Sequence, residues 1–226
     1  MKLEATVEHE AAARDRFDGW AESQTFQRLR PWLALVQQKV LDRIDWPSTQ
    51  RFLDVACGSG FAVYEAGRRL RGKPGALACG CDLSEGMLRQ RAAAPPDAGK
   101  TGFLAASAQS LPYADHSFDA LIVTAAFHHF PVPAQALLEF RRVLRPGGSL
   151  LIADTCRDQS LGTWIWDRIH RWFEKGHVKY YRTDELRSLL TETGFGEIEL
   201  EELDPSYAET KKLIRRAALF AARAPR

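Results

Sequence analysis

The sequence predicts an α/β protein built on a doubly wound, mostly parallel sheet, and three observations carry that expectation. Short apolar runs alternate with stretches of helical spacing between residues 51 and 154, the pattern of βα units whose sheet is covered on both faces. One run, Phe52-Leu53-Asp54-Val55-Ala56-Cys57, breaks into Gly58-Ser59-Gly60 and then into helix-forming sequence, and the next, Ala76-Leu77-Ala78-Cys79-Gly80-Cys81, closes on Asp82. Breakers stand where connections are needed, in Ala94-Pro95-Pro96-Asp97-Ala98-Gly99 and in Arg145-Pro146-Gly147-Gly148.

In chain order, a helical region over residues 9 to 45 precedes the sheet, with Pro31 expected to separate two helices or to open the second. Then follow strand 51–56, helix 60–71, strand 76–82, helix 84–93, strand 102–106, strand 118–125, helix 133–144 and strand 148–154. Residues 160–181 hold Trp164, Trp166, Trp172, Phe173, Tyr180 and Tyr181 ahead of a helix over 183–193, which reads as an inserted helical segment. Strand 196–204 sets Ile198 and Leu200 against Glu197, Glu199 and Glu201, a half-exposed strand with a solvated acidic face. The alanine-rich stretch Arg215 to Arg223 is compatible with a helix.

At 226 residues, 45% hydrophobic and 27% charged, the chain is long enough for one domain over 1–226, with an N-terminal helical cap over 1–46 and the insert over 157–181. No run of about 18 uncharged apolar residues occurs, and Met1-Lys2-Leu3-Glu4 opens no signal-peptide core, so no membrane span and a cytoplasmic location are expected. A net charge of +2 neither calls for nor excludes a nucleic-acid partner, which the motifs below make unfavoured. Cys57, Cys79, Cys81 and Cys156 lie in or beside strands without CxxC spacing, so they read as small buried residues and no metal site is expected.

The glycine turn defines the ligand class. Gly58 and Gly60 can adopt φ > 0 and let a ligand lie on the backbone. Asp82 follows at about the 20-residue distance where an acid takes ribose hydroxyls in a βαβ unit. Val63 occupies the place of the third glycine of a dinucleotide fingerprint, and no Lys-Ser or Lys-Thr follows the turn, which disfavours nicotinamide or triphosphate ligands.

Further motifs follow in fixed order: Ala106-Ser107-Ala108-Gln109-Ser110-Leu111-Pro112-Tyr113, Ser117-Phe118-Asp119-Ala120-Leu121-Ile122-Val123, Phe127-His128-His129-Phe130 and Arg142-Val143-Leu144-Arg145-Pro146-Gly147-Gly148-Ser149-Leu150-Leu151-Ile152. Over residues 50–155 the chain resembles the class I S-adenosylmethionine-dependent methyltransferases, and within them the small-molecule branch that includes quinone-biosynthesis C-methyltransferases. The resemblance implies a Rossmann-like sheet of seven strands whose last, at the C-terminal segment, is antiparallel. It also implies S-adenosyl-L-methionine as cofactor and a small-molecule acceptor at oxygen, nitrogen or carbon. Oligomeric state is not fixed.

Carried over residue by residue, the resemblance places Gly58 and Gly60 under the methionyl part, with Ala56 in the same turn and Asp54 near the amino group. Asp82 would accept from the ribose, Leu83 and Met87 would pack on the adenine, Ala108 would offer its N–H, and the Thr124 carbonyl would face the ammonium. Ser107 stands where many relatives have an acid for the adenine amino group, with Gln109 as a candidate to compensate. Trp20 resembles a cap aromatic that folds over the cofactor, though a core role suits it equally.

His128 and His129 are the candidate proton acceptors, of which adjacent positions let one face the site. Trp164, Trp166, Trp172, Phe173 and Tyr181 of the insert, with Arg168, His170 and His177, are candidates for the acceptor pocket, one or two of the aromatics lining it. Two other classes are considered. A nucleic-acid or protein methyltransferase is disfavoured because strand four ends in Thr124-Ala125-Ala126-Phe127 rather than a Pro-Pro-aromatic turn, and no Pro-Cys nucleophile is present. A cofactor-binding protein without turnover is disfavoured by the intact glycines and Asp82.

Overall fold

The computed structural model describes residues 2–91, 93–158, 168, 178–203 and 217–225. Its helices are α1 (Lys2–Ala21), α2 (Gln24–Leu41), α3 (Phe61–Leu70), α4 (Glu85–Arg89), α5 (Pro133–Val143) and α6 (Thr183–Glu192). Its strands are β1 (Arg51–Val55), β2 (Leu77–Asp82), β3 (Thr101–Ala105), β4 (Phe118–Thr124), β5 (Leu144–Asp154), β6 (Gly196–Leu203) and β7 (Ala217–Arg223). The seven strands form one sheet in the order β3-β2-β1-β4-β5-β7-β6, parallel except for β7, which runs antiparallel to both neighbours.

Central strands are apolar on both faces because helices cover both. In β4, Leu121 and Val123 pack into a core with Leu53, Val55, Phe127 and Phe140, whereas Ala120 and Ile122 join a second core with Phe52, Val40 and Val63. Amphipathic spacing selects the covering helices. α5 starts with Pro133, whose missing N–H would have been unsatisfied in any case, and buries Ala136, Leu137, Phe140 and Val143 on one side. α4 is capped by Ser84, whose hydroxyl accepts the Met87 N–H at 2.9 Å.

Several expectations shift. Pro31 neither separates nor opens a helix: it sits inside α2, where its ring removes one backbone hydrogen bond that the packed helix tolerates. The helix expected over 84–93 ends at Arg89. β5 begins at Leu144, four residues early, because Leu144 pairs with Phe118 before a bulge returns Ser149 to Ala120. The C-terminal stretch is the antiparallel strand that the resemblance implies, rather than the helix that its alanines allow. Buried between β5 and β6, it sends Ala218, Phe220 and Ala222 to one core and Leu219 to the other, and tertiary burial overrides the helix propensity of alanine. The glutamates of β6 lie on the sheet's outer edge, where charge blocks further strand pairing.

Among the described residues, no helix is long and apolar enough to cross a membrane.

Candidate active site

Strand order reverses between β1 and β4, and a cavity of about 520 Å³ opens there, at the carboxyl ends of the strands where an α/β sheet takes its ligands. Its floor is strained. Ala56 after β1 and Ala125 after β4 both have positive φ, 59° and 51°, a left-handed conformation that costs an L-residue about 1–2 kcal/mol and is held only where surrounding structure dictates it. The Cys57 N–H donates to the Cys81 carbonyl at 3.0 Å, tying the turn to β2.

The two turn glycines do different work. A Cβ on Gly58 would meet nothing within 4 Å, and this residue lines the cavity. Its N–H donates to Asp82 Oδ2 at 2.7 Å. Gly60 lies outside the lining; a Cβ there would come within 2.6 Å of the Phe103 ring, so it serves packing and its own left-handed φ of 80°. Val63, in the place of a third glycine, approaches the sheet because β2 supplies Gly80, where a Cβ would lie 2.7 Å from Val63 Cγ2.

Asp82 is buried at the floor, its Oδ1 accepting the Ser84 N–H at 2.9 Å. Burial pushes its carboxyl up to about 6, against the pull of those backbone donors. Asp54 lies beneath the floor, fully buried, and neither carboxylate oxygen has a hydrogen-bond partner. Desolvation first, and the nearby Asp82 second, hold its pKa well above the carboxylate range.

One wall is formed by Leu83, Met87, Ser107, Ala108 and Gln109, against which the cap helix α1 presents Glu10, Ala13, Phe17 and Trp20. The positions 10, 13, 17 and 20 are one helical stripe. Asp18 fastens the helix to α4: it accepts from the Ser84 hydroxyl and from the Gly86 N–H at 2.8 Å, bonds that lower its pKa. Phe17 and Trp20 meet edge-on, their ring centroids 6.0 Å apart.

The opposite wall comes from β4, β5 and α2. Gln37 Nε2 donates to the buried Thr124 Oγ1 at 3.1 Å. His128 is buried in a 3₁₀ turn, Phe127–His129, and its Nδ1 lies 2.7 Å from Asp154 Oδ1. Asp154 also accepts the His128 N–H at 3.0 Å and the Thr155 N–H at 2.7 Å, so its orientation is fixed by the backbone at both ends. Such a carboxylate holds the proton on Nδ1 and leaves Nε2 as the basic nitrogen. Tyr180 packs against His128 with the rings tilted 52° and their centroids 4.8 Å apart.

Two sequence expectations about this wall change. Both His128 and His129 line the cavity, because the tight 3₁₀ turn brings neighbouring side chains to one side, with ring centroids 4.0 Å apart; His129 contacts Phe17 of the cap at 4.9 Å. Tyr181 packs on Phe127 in the core, and its neighbour Tyr180 reaches the cavity. Trp164, Trp166, Trp172, Phe173, His170 and His177 lie outside the described residues, and Arg168 is exposed.

Two functional candidates were absent from the sequence reading. Asp154 closes an apolar run just as Asp82 does, so the same signal marked it. Glu10 is the acid in the otherwise apolar stripe 10-13-17-20, a signal visible only once the helix is given a partner. The four cysteines are buried and free, and among the described residues no group of three or more His, Cys, Asp or Glu is placed to hold a metal.

Residues 53–152 match a family model described as a methyltransferase domain. The chain is 28% identical over 190 residues to a ubiquinone/menaquinone biosynthesis C-methyltransferase of Paracoccus denitrificans, covering 73% of this chain and 75% of that one. It is 27% identical over 204 residues to the O-methyltransferase resE of Aspergillus sclerotiorum, covering 88% and 75%. In fold it is similar to a chain of the complex between the Haloferax volcanii Trm112 methyltransferase activator and a methyltransferase, with a TM-score of 0.74, 21% identity, and coverage of 93% and 98%.

Proposed function

We propose, from the premise that the chain belongs to the class I S-adenosylmethionine-dependent methyltransferases, that it methylates a small, partly apolar acceptor bearing an ionisable proton, with His128 as the general base. The premise rests on the family match and the relatives; the acceptor class rests on the buried Asp154–His128 pair facing the same cavity as the Asp82–Gly58 floor.

The residues present fit the cofactor. Open space over Gly58 gives a methionyl chain room against the backbone, and Asp82 at the end of β2 is an acceptor for ribose hydroxyls. Leu83 and Met87 offer an apolar wall to an adenine, and the orphaned carboxyl of Asp54 beneath the floor supports a role toward an ammonium group through water. Trp20 presents an aromatic face from the cap, where a sulfonium would gain roughly 1 kcal/mol. When bound, S-adenosylmethionine supplies a methyl group already activated on sulfur.

The protein's part is position, dryness and one proton. α1 and α2 cover the cavity and keep water from the reacting groups. His128 Nε2 takes the proton of a phenol or enol, and Asp154 stabilises the resulting imidazolium while holding the ring in place. This serves an oxygen nucleophile directly, and a carbon nucleophile through the enolate or phenolate it generates. Relatives named for C- and O-methylation match the chain at nearly equal identity, so the acceptor atom follows the acceptor.

An acceptor screen with methyl-labelled cofactor tests the reading. Label should pass to small phenols, hydroquinones or enols and not to RNA, DNA or protein. Transfer confined to a macromolecule would contradict it.

A further inference from the structure

The geometry points to Glu10, on the cap helix, as the carboxylate that reads the amino group of the adenine. This rests on the reading that the cavity holds an adenosyl cofactor, and extends it to a residue outside the sheet. Among the described residues that line the cavity, two are carboxylates, Asp82 and Glu10. With Asp82 at the ribose end beside Gly58, Glu10 is the acid left for the wall formed by Ser107 and Gln109, past the end of β3.

The local bonding shows why neither Ser107 nor Gln109 fills that role alone. The Ser107 hydroxyl donates to Glu10 Oε1 and accepts the Gln109 N–H at 3.1 Å. Gln109 cannot turn its amide oxygen to a ligand, because that oxygen accepts the Val132 N–H at 2.9 Å; its Nε2 is committed to Glu10 Oε1. Its backbone carbonyl accepts from Gln135 Nε2 at 3.1 Å, fixing the loop that carries it. Two neutral side chains thus clamp one oxygen of a carboxylate delivered by α1, and Oε2 has no partner among the described residues. An exocyclic amino group is a donor that matches this acceptor. Since Glu10 shares its helix with Trp20 and with Asp18, which is bonded to α4, recognition of the base and closure of the cap become one event.

Calorimetric titration with S-adenosylhomocysteine and S-inosylhomocysteine tests this, because the second ligand carries an acceptor oxygen in place of the amino group. The native chain should prefer the adenosyl ligand. Glu10→Gln, whose amide can donate to the inosyl oxygen, should shift that preference by about tenfold or more, the scale of one charge-assisted hydrogen bond. Glu10→Ala should weaken the adenosyl ligand alone, and adding Ser107→Asp should restore at least part of the loss. A preference unchanged in both Glu10 variants would overturn the assignment while leaving the cofactor intact. A native chain that binds neither ligand would overturn the cofactor reading itself.

Discussion

The two halves of the cavity are built by opposite strategies. On the β1–β2 side a single contiguous turn, Ala56 to Ser59, supplies the surface, and Asp82 on the neighbouring strand closes it through a 2.7 Å bond to the Gly58 N–H. On the His128 side, the groups are assembled from distant segments: His128 with Asp154, Thr124 with Gln37. A site for an invariant ligand can be written into local backbone chemistry. A site that selects among acceptors is made of side chains brought together by the fold, and these can change without disturbing the turn.

The comparison breaks if the two halves cannot be disabled separately. The largest expected effect belongs to the acceptor half: His128→Ala should lower kcat by about 10²–10⁴-fold while cofactor affinity stays within about threefold. Asp154→Asn should reproduce most of that loss, since an amide no longer stabilises the imidazolium. Parallel loss of cofactor binding in both variants would merge the halves into one.

A smaller effect sharpens the cofactor half through its pH dependence. In the proposed role Asp82 accepts from the ribose as a carboxylate, and burial raises its folded pKa to about 6. Affinity should therefore be full above pH 6 and fall by up to about tenfold per unit as the pH drops through that value. The ligand-free fold responds in the opposite sense. A carboxyl raised from 3.8 to about 6 contributes stability that is fully present below 3.8 and lost as pH rises through about 6. A binding affinity that does not rise between pH 4 and 6, or that rises equally in Asp82→Asn, would remove Asp82 from the ribose role.

The same contrast explains what the sequence made legible. The sheet, the turn and Asp82 follow from period, glycine placement and a strand-end acid, all local signals. The final strand ran against its own alanine-rich propensity, because burial between β5 and β6 decided it. Gly60 is a ligand glycine by its motif, and only the fold shows that a Cβ there would also strike Phe103. Asp154 was within reach, since it ends an apolar run as Asp82 does; its partner His128, 26 residues away, is set by the pairing of β4 with β5. Glu10 was beyond reach, because a helix stripe does not say which loop it will cover, and Ser107 is 97 positions distant.

The central claim is that a sulfur nucleoside sits on the β1–β2 floor, and calorimetry on Asp82→Ala tests it most directly. The native chain should bind S-adenosylmethionine or S-adenosylhomocysteine with micromolar affinity, ignore NAD and ATP, and lose at least about tenfold in affinity on the substitution, with its fold retained. Undiminished affinity in Asp82→Ala, or binding of NAD or ATP in place of the sulfur nucleosides, would contradict it.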